Sequence, residues 1–259
     1  MSAVLSAEWL KLRSIRSTGI AVAAALAGIL LGVVVAWSAV NVFDGASPER
    51  RATARIAEIE LVTLLVPQLC MGVLGVLAIT SEYVTGTIRL TFTAEPRRRR
   101  VLAAKAAIVG AVALAVGPVV VFATYFVSRA MIGDRFGGVY LAPFAEKAPM
   151  MLASGVSVMV FALAGLGFGA ILRSSAGAIA SIVVLVYLLP MIAGNLPEPW
   201  SERLGSVMLP ALPGQITGAD LTHSVYGALL PPPVAAALLA AYAVVPLVVA
   251  ALLITRRDA

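Results

Sequence analysis

The ionisable and hydroxyl side chains best placed to act together lie in one short stretch of the chain. Thr80-Ser81-Glu82-Tyr83-Val84-Thr85-Gly86-Thr87-Ile88-Arg89 is followed by Glu95-Pro96-Arg97-Arg98-Arg99-Arg100 and then by Lys105. These groups can bind, through ion pairs and hydrogen bonds, but they include no nucleophile–base pair. Four consecutive arginines cannot enter a bilayer, at about 2.5–3.5 kcal/mol each even on a lenient insertion scale, so they mark a break between apolar segments. Glu82 and Arg89 are two helical turns apart and share a face if the stretch is helical; Pro96 then stops it. A short charged helix held against a membrane face suits the docking of a soluble partner. The same residues also suit a topological anchor on anionic headgroups.

Catalytic chemistry finds little support elsewhere. The single histidine, His223, excludes a His-based metal site and a Ser–His pair within the apolar segments. The single cysteine, Cys70, excludes an internal disulfide and a Cys-based zinc cluster, and its apolar surroundings suit a small buried hydrophobe. The G-x-x-x-x-G-K-[ST] phosphate loop is absent, and Gly165-Leu166-Gly167-Phe168-Gly169 has no strand before it. The expectation is a chain with no catalytic site and no cofactor of its own.

The elements that position these residues follow from composition. Of 259 residues, 61% are hydrophobic and 12% charged, and the mean hydropathy is +0.99. A soluble domain of this size carries roughly twice that share of charge. Six runs are long enough to span a bilayer, which takes about 20 mostly apolar residues: 18–40, 61–80, 104–127, 149–172, 177–194 and 234–255. The fold expected is an all-α integral membrane protein, one transmembrane domain over 1–259. Ala36-Trp37-Ser38 resembles a cleavage site, but the first run is too long for a signal peptide and is read as a retained helix.

Orientation follows from the basic residues. With both termini inside, 12 of the 19 Lys and Arg fall on the inner side and 7 on the outer, with acids 4 and 9. This places both termini in the cytoplasm, in a multi-pass protein of the inner (plasma) membrane. The net charge of +6 is thereby explained at the span ends without nucleic acid. Residues 3–16 read as an amphipathic interfacial helix, with Leu5, Trp9 and Leu12 on the membrane face and Glu8, Lys11 and Arg13 pointing elsewhere; a plain basic lead-in to the first span is the alternative. Pro48 to Glu60 reads as a charged helical extension of the second span. Residues 195–233 hold 7 of the 15 prolines and an apolar piece, Leu204 to Leu212, too short to span, which suggests a re-entrant outer segment.

Gly28 and Gly32, and Gly165 and Gly169, are four apart and suit close helix packing in lipid. Thr63, Gln68, Thr124, Tyr125, Ser154, Ser157, Ser181 and Tyr187 are the polar groups within spans, available for cross-helix hydrogen bonds or for a substrate path. The spans hold almost no ionisable groups, which counts against an ion-driven carrier.

The sequence resembles the permease subunits of ABC-2-type transporters. The residues that carry the resemblance are Glu82, Gly86-Thr87, Pro96 with Arg99, and Lys105, together with six spans, an N-terminal amphipathic helix holding Glu8 and Lys11, and a long Pro-rich loop before the last span. The resemblance implies that segment 81–100 is a cytoplasmic coupling helix. Glu82, Thr85, Gly86, Thr87, Arg89, Pro96, Arg99 and Lys105, with Arg173 at a second small contact, would couple to a separate ATP-binding subunit that carries ATP and Mg. It also implies a second permease subunit, identical or different, and export as the commoner direction. An acidic residue at the place of Glu82 would tie the coupling helix to the N-terminal helix, with Lys11 or Arg13 as partner. A path lined by Val, Leu, Met and Phe suits a hydrophobic or amphipathic cargo, a drug or a lipid. A stand-alone carrier or channel, and a non-transporting scaffold or sensor, are the competing readings.

Overall fold

The computed structural model describes residues 2–218 and 229–256; His223 and Arg257 lie outside them. In order, the chain forms α1 (Ser2–Ser14), α2 (Arg16–Asp44), α3 (Pro48–Thr53), α4 (Ile59–Thr63), α5 (Leu65–Val84), α6 (Thr87–Ala94), α7 (Arg98–Ile132), the distorted single turn α8 (Arg135–Gly138), α9 (Phe144–Leu172) and α10 (Ser175–Val183). A π-helical segment (Val184–Leu188), α11 (Leu189–Gly194), α12 (Trp200–Val207), a 3₁₀ turn (Leu209–Ala211), α13 (Leu212–Thr217) and α14 (Pro232–Arg256) complete it. No strand occurs among the described residues.

Among the described residues, six helical stretches are long and apolar enough to cross a membrane: Arg16–Asp44, Ile59–Val84, Arg98–Ile132, Phe144–Leu172, Ser175–Gly194 and Pro232–Arg256. Each contains its expected span, and most run beyond it because charge does not end a helix. The third is the extreme case. Its 35 residues, at 1.5 Å each, extend about 50 Å against a hydrocarbon core of about 30 Å, so Arg98, Arg99 and Arg100 form a charged first turn.

The helices alternate in direction, as contacts at their ends show. At one end, called the near end here, Arg98 of α7 donates to the carbonyl of Ile254 in α14 at 3.0 Å, and α1 lies against the ends of α5 and α7. At the far end, Arg135 grips Asp44 with Nε and Nη2 at 2.8 and 2.9 Å. There Tyr140 also donates to Glu60 at 2.8 Å and accepts the Ile59 amide at 2.9 Å, while Lys147 pairs with Glu58.

α9 is the most enclosed of the six, packed against α5, α7 and α14. Small residues make this possible. A Cβ on Gly75 would stand 1.9 Å from the Ala162 carbonyl oxygen, one on Gly165 2.2 Å from that of Gly72, and one on Gly117 2.2 Å from that of Gly155. Gly169 meets Ile79 and Val76, Gly32 meets Thr124, and Gly28 lies in ordinary contact with Val66 and Pro67.

Two local expectations are corrected. Pro48 to Glu60 is not one helix: α3 stops at Thr53, and residues 54–58 are non-helical before α4 starts. Long-range partners win there, because Lys147 holds Glu58 and the Tyr140 hydroxyl takes the Ile59 amide that a continuous helix would use internally. Residues 80–89 are not one helix either. Gly86 takes a left-handed conformation (φ 71°) that separates α5 from α6, so Glu82 and Arg89 do not share a face.

The described part of the Pro-rich stretch before residue 219 folds as α12, the 3₁₀ turn and α13, with Leu209, Leu212 and Gln215 buried against α9 and α14. Gln215 secures it. Its Nε2 donates to the Ser206 carbonyl at 2.7 Å and its Oε1 accepts the Leu230 amide at 2.8 Å. Tyr242 of α14 adds a bond to the Val207 carbonyl at 2.9 Å.

Candidate functional site

The near end gathers charged and hydroxyl side chains of four elements into one cluster. α1 contributes Glu8 and Lys11, the last turn of α5 carries Glu82, α6 supplies Thr91, and the second turn of α7 carries Lys105. The Lys105 ammonium donates to Glu8 Oε2 at 2.6 Å, to Glu82 Oε1 at 2.6 Å and to the Ala78 carbonyl at 3.1 Å. An ammonium has three N–H donors, and each finds an acceptor. This satisfaction is what lets Lys105 sit 4% exposed beside Glu8 at 5% and Glu82 at 8%, since a buried charge is tolerated only when paired and hydrogen-bonded.

Lys11 closes the cluster from the solvent side. It donates to Glu8 Oε1 at 2.8 Å, Glu82 Oε1 at 3.1 Å and Thr91 Oγ1 at 3.1 Å. Partial burial alone would push its pKa down, but the bonds to the two carboxylates outweigh that and hold it above the usual lysine value. The Thr91 hydroxyl in turn lies 3.4 Å from Glu82 Oε2. Glu82 is therefore the common acceptor for α1, α6 and α7. Beside the cluster is a cavity of about 400 Å³ with apolar walls from Leu12, Ile15, Ala78 and Ile108.

Glu8 corrects the expected orientation of α1. It faces the bundle one turn before Leu12, which is also buried, while Trp9 is 48% exposed. Pairing with two ammonium groups outweighs apolar patterning at that position. Of the two basic candidates to meet Glu82, Lys11 does so and Arg13 is exposed.

The remaining candidates surround the cluster. Thr85 and Thr87 share a hydroxyl contact of 2.9 Å across Gly86, and both line the cavity. Arg89, Pro96 and Arg99 are exposed on α6, on the α6–α7 link and on the first turn of α7. Arg98 lies with its guanidinium 5.1 Å above the Phe92 ring of α6. Arg173, in a left-handed conformation (φ 53°) at the turn from α9 to α10, stacks 5.0 Å over Tyr83. Ser175 donates to Thr80 at 2.7 Å, so this second turn also abuts the end of α5. Thr91, Tyr140 and Gln215 are structural partners that sequence reasoning did not single out. Thr91 carries a weak signal, one turn after Thr87.

A family model described as ABC-2 family transporter protein matches residues 4–191, nearly three quarters of the chain. The chain belongs to the ABC-2 transporter family. No curated protein sequence matches it. As an ABC-2 protein it is the multi-pass membrane component of an ABC transporter, and family membership implies an ATP-binding-cassette partner. The matched residues include every member of the near-end cluster, from Glu8 to Lys105.

Proposed function

We propose that this chain is the permease subunit of an ATP-driven exporter, with the near end in the cytoplasm and α6 as its contact with a separate ATP-binding subunit. The observation that carries this reading is the cluster centred on Glu82 and Lys105. A surface helix tied only by loops would shift alone under load. α6 instead bonds to Glu82 of α5, which also accepts from α1 and α7, so force on it reaches two membrane-length helices directly. The outward side of α6 presents Arg89 and Leu90, the latter 72% exposed, a mixed surface fit for a protein cleft.

In this reading the partner binds ATP and Mg, and its closure moves α6. A second permease subunit, identical or different, completes the path in the plasma membrane, both termini are cytoplasmic, and hydrophobic or amphipathic molecules move outward. The arginines at 97–100 favour this orientation.

The test is purification of the tagged chain with its native neighbours, followed by ATPase and efflux assays. An ATP-binding subunit is expected to come with it. Glu82→Ala, which removes a buried charged contact worth about 1.5–3 kcal/mol, and Arg99→Glu, which reverses an exposed charge on the proposed contact face, are expected to leave the chain inserted while efflux falls at least about tenfold. Purification without any ATP-binding protein, or full efflux in both variants, overturns the proposal.

A further inference from the structure

A second cavity, of about 920 Å³, opens at the far end between α4–α5, α9, the π-helical segment with α11, and the 3₁₀–α13 segment. Its volume is in the range of small-molecule sites, about 300–1,000 Å³. Irregular backbone gathers on its walls. The helix before Pro190 widens to π over Val184–Leu188, and the 3₁₀ turn runs through Pro210 and Ala211. Leu64, Val186, Tyr187, Pro190, Pro210 and Ala211 all line the space. Departures from α-helix at membrane depth are tolerated where they border a cavity, and π segments concentrate at functional sites.

Apart from Glu58, the polar groups on these walls carry no charge and are partly unused. The Ser154 hydroxyl is buried with no hydrogen-bond partner among the described residues, and Gln68 is held by Ser157 at 2.9 Å. Leaving a hydroxyl unpaired in an apolar setting is costly. The one carboxylate among the described lining residues, Glu58, is taken by Lys147. An ion entering here would lose its hydration without gaining a free counter-charge.

We infer that this cavity binds an uncharged amphipathic molecule, one per chain, with its polar group at Ser154 and Gln68 and its apolar body along Leu64, Val186 and Met191. The inference rests on the exporter reading for its role, as the cargo site nearest the outer face, but not for its existence.

The test is photolabelling of the purified complex in phosphatidylcholine nanodiscs, without nucleotide. The probes are a diazirine-bearing monoacylglycerol, its phosphate ester and its trimethylammonium analogue, with labelled peptides mapped by mass spectrometry. The uncharged probe is expected to label peptides holding Gln68, Ser154 and Tyr187 saturably, at one per chain, and the two ions at least about tenfold more weakly. Ser154→Ala should weaken labelling about three- to tenfold, as loss of one hydrogen bond does, and Ser154→Phe should abolish it by filling the space. Non-saturable labelling, equal labelling by the ions, or unchanged labelling in both variants overturns the inference. A preparation that lacks an ATP-binding subunit yet labels saturably sinks the exporter reading alone. An active complex that does not label saturably sinks the cavity assignment alone.

Discussion

Lys105 is the side chain whose loss should be felt furthest. Lys105→Met would leave Glu8 and Glu82 buried with Lys11 as their remaining ammonium, and breaking a buried pair this way costs about 3–5 kcal/mol. Thermal unfolding in detergent should show a fall of several degrees or more, and an unshifted midpoint would mean the cluster is not holding the near end together. Lys11 fixes the pH behaviour. Its folded pKa lies above 10.5, so its contribution is complete below that value and is lost only as pH rises through the higher folded one; stability should not respond to Lys11 across the neutral range. At this scale the sequence was legible in part. Glu82, Lys11 and Lys105 are recognisable by type and spacing. The burial of Glu8 is not, because it depends on an ammonium 97 positions away, which no local pattern encodes.

Among the elements, α9 owes its central place to backbone approach, and the glycines opposite it set the tolerance. Gly75→Ala puts a methyl 1.9 Å from a carbonyl oxygen that cannot turn aside, whereas Gly110→Ala meets the flexible Leu163 and Met159 side chains at 3.5 and 3.8 Å, in ordinary contact. The first should cost about 1–3 kcal/mol through overpacking. The second should be neutral or stabilising by up to about 1 kcal/mol, since alanine favours helix over glycine. Equal unfolding midpoints for the two variants would contradict the packing described. The six membrane-length helices are legible because the penalty for exposing or burying a run of 20 residues dwarfs local preference. Breaks inside the expected helices are harder to read. Gly86 is visible as a glycine, but its left-handed role emerges only because α6 turns back to bring Thr91 to Glu82. The stop after Thr53 depends on Tyr140 and Lys147, which reach it from another part of the chain.

For the whole molecule, orientation is the claim on which the proposed role depends. With Cys70→Ala as background, cysteines at Ser47 and at Ala94 occupy exposed positions at opposite ends of the bundle. An impermeant thiol reagent applied to intact cells should modify the first and spare the second; the reverse pattern would put the proposed contact surface outside and end the exporter reading. The match over residues 4–191 supports that role for the body of the chain, while the helices beyond it owe their placement to Gln215 and Tyr242. The balance of charge in the near-end cluster has one more consequence. Two glutamates and two lysines amount to an electrically neutral body, so its displacement moves no net charge through the transmembrane potential, where a single unpaired charge would exchange about 2.3 kcal/mol per 100 mV. The cluster itself should therefore add no voltage dependence to the stroke.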